Sequence, residues 1–351
     1  MKKIVGILLA GALVVSAFAA DVSAKVVLEG ELLNINDGKV NAFNIKKPGC
    51  QTWNPIMNLS VNGDRAGSEF CVFTGDLKKD IGGWQKGYSN FSSNYKIWVK
   101  PIDSLKLVFG HNGFNLNQET ILYSKSYSGI DDIGYALNFA MNGFSLDFMM
   151  AQGWDDSWLS VVDENVNIAQ TGIKAEYAAD FGKINGILVA KDTFKDLRFG
   201  VGYANTFSGV NIFANVLGFV NNGFNALRVE LFAKGNVDAF GWAVYPVLNV
   251  NLGDTAALDM TLIARADYRF NGITAYLVIG QDSANQYNPI NGGSPAQGTY
   301  FGLVNNDKFN MTIAPGASGN IGGAGWDVSL KFDIGKEKVI VSVPVVFSMG
   351  W

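Results

Sequence analysis

What most constrains this chain is a period-two alternation of apolar and polar residues, repeated along most of its length. In residues 326–334, WDVSLKFDI, the apolar set is Trp326, Val328, Leu330, Phe332 and Ile334, and the polar set is Asp327, Ser329, Lys331 and Asp333. Residues 257–269 set Leu258, Met260, Leu262, Ala264, Ala266 and Tyr268 against Asp259, Thr261, Ile263, Arg265, Asp267 and Arg269. Leu227, Val229 and Leu231 oppose Arg228, Glu230 and Lys234; Phe144, Leu146, Phe148 and Met150 oppose Ser145, Asp147 and Met149. Side chains two apart share a face only in an extended chain, so these segments read as strands. They recur from about residue 92 to the end, joined by hairpin signals such as Asn142-Gly143 and Asn271-Gly272. A soluble antiparallel sheet alternates in the same way. The destination of the chain decides between the two.

Residues 1–19, MKKIVGILLAGALVVSAFA, read as a signal peptide: Lys2 and Lys3, an apolar stretch from Ile4 to Val15, then Ala17-Phe18-Ala19 as cleavage site. Val22-Ser23-Ala24 is a second site, which would place the cut as late as residue 24. Without the two leading lysines the balance becomes 25 − 31 = −6. From residue 21 onward no run of 18 apolar residues occurs, so no transmembrane helix is expected. Yet 48% of the chain is hydrophobic and only 17% charged, too apolar for an ordinary secreted enzyme or a disordered chain. With Lys plus Arg at 27 against 31 acids, a nucleic-acid partner is not expected. An exported, many-stranded chain spans a bilayer only as a closed barrel, because every backbone group must be paired within the protein. The fold class is therefore all-β, a transmembrane antiparallel β-barrel over residues 20–351.

The last strand fits this reading. Val339, Val341, Val343, Val345, Phe347, Met349 and Trp351 share one face. Its ending, Phe347, Met349 and Trp351, resembles the assembly signal of bacterial outer-membrane barrels. Pro344 falls on the other face, where a local irregularity is expected. Short turns at 101–104, 142–143, 180–183, 207–209, 236–239 and 269–272 alternate with longer connections at 114–133, 153–167, 191–196, 218–225, 251–256 and 282–298. This gives twelve strands between residues 92 and 281. One strand at 25–34, one irregular strand over 299–316 followed by a Gly-rich connection at 316–325, and two final strands bring the total to about 16. The alternative is 18, with a further hairpin inside residues 39–75. On the count of 16, residues 36–91 are one large first loop, folded outward as a cap or inward as a constriction. It holds Cys50 and Cys71. Two cysteines in an exported chain most simply pair, which would contribute roughly 3 kcal/mol by the chain-entropy estimate; free thiols are the other reading.

Little here supports catalysis. His111 is the single histidine, in FGHNGF at a strand end, where a polar rim residue is the plain reading. Motifs for a nucleophile elbow, a zinc helix or a phosphate loop are missing. Gly319–Gly325 lacks the strand–helix context of a nucleotide loop. Asp131-Asp132, Asp155-Asp156 and Asp163-Glu164 read as solvated acids of outer loops. No enzyme activity, cofactor or metal is expected.

The inward charges are more informative, since charge on the lipid face of a barrel costs a few kcal/mol near the midplane. The positive set is Lys96, Lys100, Lys106, Lys174, Arg198, Arg228, Lys234, Arg265, Arg269 and Lys331; the negative set is Asp147, Glu176, Glu230, Asp259, Asp267 and Asp333. The excess is 10 − 6 = +4. Of these, Lys100, Lys106, Arg198, Arg228, Arg265, Arg269 and Lys331 are the candidate lumen-lining residues. Basic rings favour anions, so the expectation is a general diffusion porin with mild anion preference. The competing expectation is a plugged barrel whose charges only pair with one another.

Three segments carry a family resemblance: YKIWVKPIDSLKLVFGHNGFNLNQE (Tyr95–Glu119), KVVLEGELLNINDGKVNAFNI near the start, and the ending VIVSVPVVFSMGW. They resemble the variable surface proteins of intestinal spirochaetes. That resemblance implies an abundant, surface-exposed outer-membrane antigen without established enzymatic activity. The partners expected are outer-membrane lipids, the barrel assembly machinery, small hydrophilic solutes, and host molecules or antibodies.

Overall fold

The computed structural model describes residues 21–36, 38–44, 55–73, 91–117, 130–151, 170–191, 196–221, 224–252, 257–282, 310–335 and 339–350. The expected signal peptide, Cys50 and Trp351 lie outside them, as does the Cys50–Cys71 pairing. All the elements are strands of one sheet. The first five are β1 (Asp21–Asn36), β2 (Lys39–Asn44), β3 (Pro55–Asn62), β4 (Ala66–Phe73) and β5 (Phe91–Ile102). Next come β6 (Leu105–Phe114), β7 (Ile130–Met141), β8 (Phe144–Ala151), β9 (Gln170–Ala179) and β10 (Gly182–Lys191). These are followed by β11 (Asp196–Phe207), β12 (Val210–Asn221), β13 (Phe224–Val237), β14 (Phe240–Asn251) and β15 (Ala257–Phe270). The chain ends with β16 (Ile273–Asp282), β17 (Asn310–Ile321), β18 (Ala324–Ser329), β19 (Lys331–Gly335) and β20 (Val339–Gly350).

Successive strands pair antiparallel except at β2/β3 and β18/β19, and β20 returns to pair with β1 from Lys25↔Gly350 to Ile35↔Val341. The sheet closes on itself through this pairing, as a barrel does to remove open edges. Two pairs of segments share one place in the ring. β2 and β3 lie end to end along the same side of β1. β18 and β19 lie end to end between β17 and β20. Among the described residues the ring therefore has 20 − 2 = 18 places.

This is the larger of the two expected counts, and the difference lies where it was anticipated. Residues 36–91 are not a single loop: β2 with β3, and β4, form the extra hairpin, and β4 joins β5 through Ala66↔Val99 to Phe70↔Tyr95. The twelve strands expected between residues 92 and 281 are β5 to β16. The Gly-rich stretch after residue 316 is strand, not connection, up to Ile321. Its glycines are seats for aromatic rings: a Cβ on Gly316 would stand 2.4 Å from Tyr276 Cζ, and one on Gly319 2.9 Å from Trp326 Cζ2. A pleated strand with no side chain at those points lets a neighbouring ring lie flat on it.

The break between β18 and β19 has a local cause. Leu330 donates its N–H to the Pro315 carbonyl at 2.9 Å, and proline offers no N–H in return. Pro344 stands opposite the preceding residue on the other side, where Val328↔Val345 is the last β18 pair. On β1 the register shifts between Glu31, which faces Pro344, and Asn34. The irregularity expected at Pro344 is thus a bulge in its neighbour.

Apart from the β1–β2 turn, the short turns described gather at one end. Asn142 and Gly143 both have positive φ, 52° and 80°, as do Asn271 and Gly272 at 47° and 78°. That is the backbone of the two-residue turn that matches strand twist, and it explains Asn-Gly at both sites. The outward face is apolar: Ile97, Leu107, Phe109, Leu137, Phe148, Ile173, Leu188, Phe199, Leu231, Leu262 and Ile279 are all exposed. A continuous apolar surface of this kind is stable against hydrocarbon, not water. Towards the turn end the same face carries Phe144, Tyr177, Phe181, Phe207, Phe240, Tyr268 and Phe270, the belt in which aromatic rings sit at headgroup level.

Candidate functional site: the inner wall and the segment docked on it

The face opposite the apolar belt carries the charges, and it arranges them in pairs. Arg228 Nε lies 2.6 Å from Glu230 Oε1, with Glu230 fully buried. Lys331 Nζ is 2.9 Å from Asp333 Oδ2, and Thr312 Oγ1 donates to the other oxygen of Asp333 at 2.6 Å. Lys174 and Lys183 share Glu176 at 3.1 and 3.4 Å. Arg265 and Arg269 share Asp267 at 3.5 and 3.7 Å, and Arg265 also stacks 4.4 Å from the centre of Tyr276. The Tyr276 hydroxyl donates to Asp327 at 2.6 Å. Five of these six ion pairs join residues two apart on one strand, where side chains share a face.

All seven candidate lumen residues, Lys100, Lys106, Arg198, Arg228, Arg265, Arg269 and Lys331, stand on this face. Their environments differ. Arg198 is 3% exposed and Lys331 7%, so both are inside a packed region; Arg269 is at the turn-end rim, where its Nη2 donates to Asn236 at 3.3 Å. Lys100 and Lys106 lie over the Trp98 ring at 5.4 and 4.8 Å. The inward excess of +4 needs correction, because the acids Glu69 and Asp327 and the cation Lys183 also belong to this face. Glu69, 3.3 Å from Lys96, sat in the stretch read as a loop. Asp327 was legible in the alternation of 326–334 and was not counted.

The strongest feature of the inner wall is one that the periodicity does not announce. From the end of β6, residues 114–117 turn inward and dock across β9 to β12. Phe114 sits against Gly172, where a Cβ would stand 2.8 Å from its Cζ. Leu116 sits against Gly200, with 2.9 Å between an added Cβ and its Cδ1. Asn117 occupies a notch at Gly202, whose added Cβ would meet Asn185 Oδ1 and Asn215 Oδ1 at 2.5 Å and Asn117 Nδ2 at 2.7 Å. Within the notch the amides bond to one another, leaving Asn185 Oδ1 buried without a hydrogen bond among the described residues. Asn185 donates to Asn117 Oδ1 at 2.8 Å, and Asn117 donates to Asn215 Oδ1 at 3.1 Å. Asn215 Nδ2 donates to the Asn117 carbonyl and to Glu230 Oε2, both at 2.8 Å.

Around this network the wall is apolar and closed off. Ile130, Met149 and Val189 have no exposed surface, and Leu217 has 1%. A second buried cluster joins Phe213, Phe232, Tyr245, Ile263, Val278 and Ala314, with Phe213 and Phe232 stacked at 4.9 Å. Sequence reading took 114–133 as a surface loop. Asn185 and Asn215, amides at mid-strand inward positions beside Gly200 and Gly202, were the available signal for a docked segment.

His111 lies in β6 opposite Ile133, on the face of Leu107 and Phe109 and away from the charged wall. Asp131 and Asp132 are in β7, not in a loop; Asp155-Asp156 and Asp163-Glu164 lie outside the described residues. Among the described residues no three metal-ligating side chains come together.

Comparison with known proteins places the fold. No family model and no curated protein sequence matches the chain. Solved structures do. The chain is similar to OpdQ of Pseudomonas aeruginosa, with 10% identity, a TM-score of 0.55, and 95% of this chain and 97% of that one covered. It is similar to OpdK of the same organism, solved with vanillate, at 10% identity and a TM-score of 0.56, covering 94% and 98%. OccAB4 of Acinetobacter baumannii gives 10% identity and a TM-score of 0.53, covering 94% and 98%. These are outer-membrane porins of the OprD/Occ family.

The fold is a porin-type β-barrel. At 10% identity the likeness reaches the architecture and stops there. The resemblance to spirochaete variable surface proteins rests on the residues quoted above and gains nothing from these barrels.

Proposed function

We propose that this barrel is an outer-membrane channel for small hydrophilic solutes, with a mild preference for anions, and that its outer connections make it an exposed antigen. The observation that carries the reading is the closed ring of 18 places with an apolar outer face and an ion-paired inner one. A wall built only to be stable would not need charges on its inside, since buried pairs are often no better than apolar packing. The inner cations outnumber their acids least ambiguously at Lys100 and Lys106, and basic walls favour anion passage. The docked segment and the buried clusters narrow the bore, which makes the channel more restricted than a general diffusion porin. Phe347 and Met349, exposed on the outer face of β20, belong with Trp351 to the proposed assembly signal.

The test is single-channel recording of the refolded barrel in a planar bilayer, with reversal potentials under a salt gradient. Discrete current steps with an anion-leaning reversal potential are expected. Stable insertion without current favours the second reading, a closed surface antigen or adhesin. That reading draws support from the absence of exposed surface at Ile130, Met149 and Val189.

A further inference from the structure

One sector of the inner wall brings two lysines together over one indole. Trp98 on β5 pairs with Val108 on β6. Lys100 follows Trp98 by two residues and Lys106 precedes Val108 by two, so both approach the indole from the turn end. Among the described residues neither lysine forms an ion pair, while Lys96, the third cation of the group, is held by Glu69 at 3.3 Å. Two acids stand near Lys106 without touching it, Glu69 on Lys96 and Asp147 on β8. Asp103 at the turn binds Arg65 at 3.0 Å, and Asp147 accepts from Asn138 at 2.7 Å.

The platform beneath the lysines is fixed. A Cβ on Gly67 would stand 2.5 Å from Trp98 Cε2, so the indole rests on the β4 backbone, and Trp98 is only 6% exposed. Like charges on adjacent strands destabilise a sheet. Cation–π attraction, about 0.5–2 kcal/mol, offsets part of that repulsion and holds both ammonium groups to one ring. An oxyanion reaching both would remove the remaining repulsion and accept charge-assisted hydrogen bonds from each. A carboxylate or phosphate has two oxygens to offer in different directions, which suits two ammonium groups better than a spherical halide.

We propose that Lys100 and Lys106, seated on Trp98, form a binding site for small oxyanions, carboxylates or phosphates, inside the turn end of the barrel. The site deepens the channel reading and relies on it for how the anion arrives.

Calorimetric titration of the full barrel, folded in detergent micelles, with inorganic phosphate and separately with acetate tests this directly. Saturable binding is expected, and the stronger of the two titrants names the class. Lys100→Gln and Lys106→Gln should each weaken it about tenfold, the loss of one charge-assisted hydrogen bond. Lys39→Gln, exposed at the other end of the barrel, should leave it unchanged. Heat-modifiable gel migration checks that each variant is folded. No saturable heat with folded wild type, or equal affinity in Lys106→Gln, overturns the site. Ion current without phosphate or acetate binding overturns the site and keeps the channel. Binding without current keeps the site and overturns the channel.

Discussion

Two sectors of the inner wall are built from the same kind of strand and end up in different states. Across β9 to β12 the wall is covered by Phe114–Asn117, and its polar groups are joined into a network from Asn185 through Asn117 and Asn215 to Glu230 and Arg228 on β13. Around β5 and β6 the wall presents Lys100 and Lys106 over Trp98 with no acid partner among the described residues. Both sectors alternate with period two and both put charge inward. What differs is the residue standing across from each charge, and that depends on strand register and on the path of the connection after β6. The first sector supplies rigidity. The second leaves charge available to a solute.

The comparison breaks most severely at Glu230. Glu230→Ala leaves the Arg228 guanidinium buried without its carboxylate, which costs about 3–5 kcal/mol. Urea unfolding of the refolded barrel should show that loss; a loss below 1 kcal/mol would mean the pair is solvated and the sector is open. Replacing both partners, Arg228→Met with Glu230→Leu, should recover much of the stability, since a matched apolar pair leaves no orphaned charge.

A smaller effect is expected at the notch. Gly202→Ala crowds three amides that would stand 2.5–2.7 Å from the new Cβ, and overpacking of this kind costs about 1–3 kcal/mol. If the docked segment narrows the bore, the same variant conducts more than wild type. Unchanged stability with unchanged conductance would remove the notch from the account.

The smallest change in stability is expected in the second sector. Lys106→Gln should alter it by less than about 0.5 kcal/mol, yet shift the reversal potential towards cations. Arg265→Gln should shift it less, because Arg265 is already matched by Asp267 at 3.5 Å. Equal shifts would mean that inward charge counts whether or not it is paired.

Much of the barrel was legible in the sequence. The turns at Asn142-Gly143 and Asn271-Gly272, the twelve strands between them and around them, and the sidedness of Arg228, Arg265 and Lys331 all follow from period and turn chemistry. The extra hairpin was less so. β2 and β3 are separate pieces of one wall strand, interrupted in sequence between Asn44 and Pro55. The Gly-rich run to Ile321 reads as a connection until Tyr276 and Trp326 are seen resting on Gly316 and Gly319.

The sequence by itself determined that the chain is a transmembrane barrel of antiparallel strands, and placed most of the strand charges on one face. The two-residue repeat sets the strands, and in hydrocarbon the need to pair every backbone group closes them into a ring. Only the tertiary structure decided which inward charges cancel, where the wall is covered, and where two lysines are left on one indole. Those outcomes depend on cross-strand register and on a loop packing against strands far from it in sequence, and a periodicity carries neither.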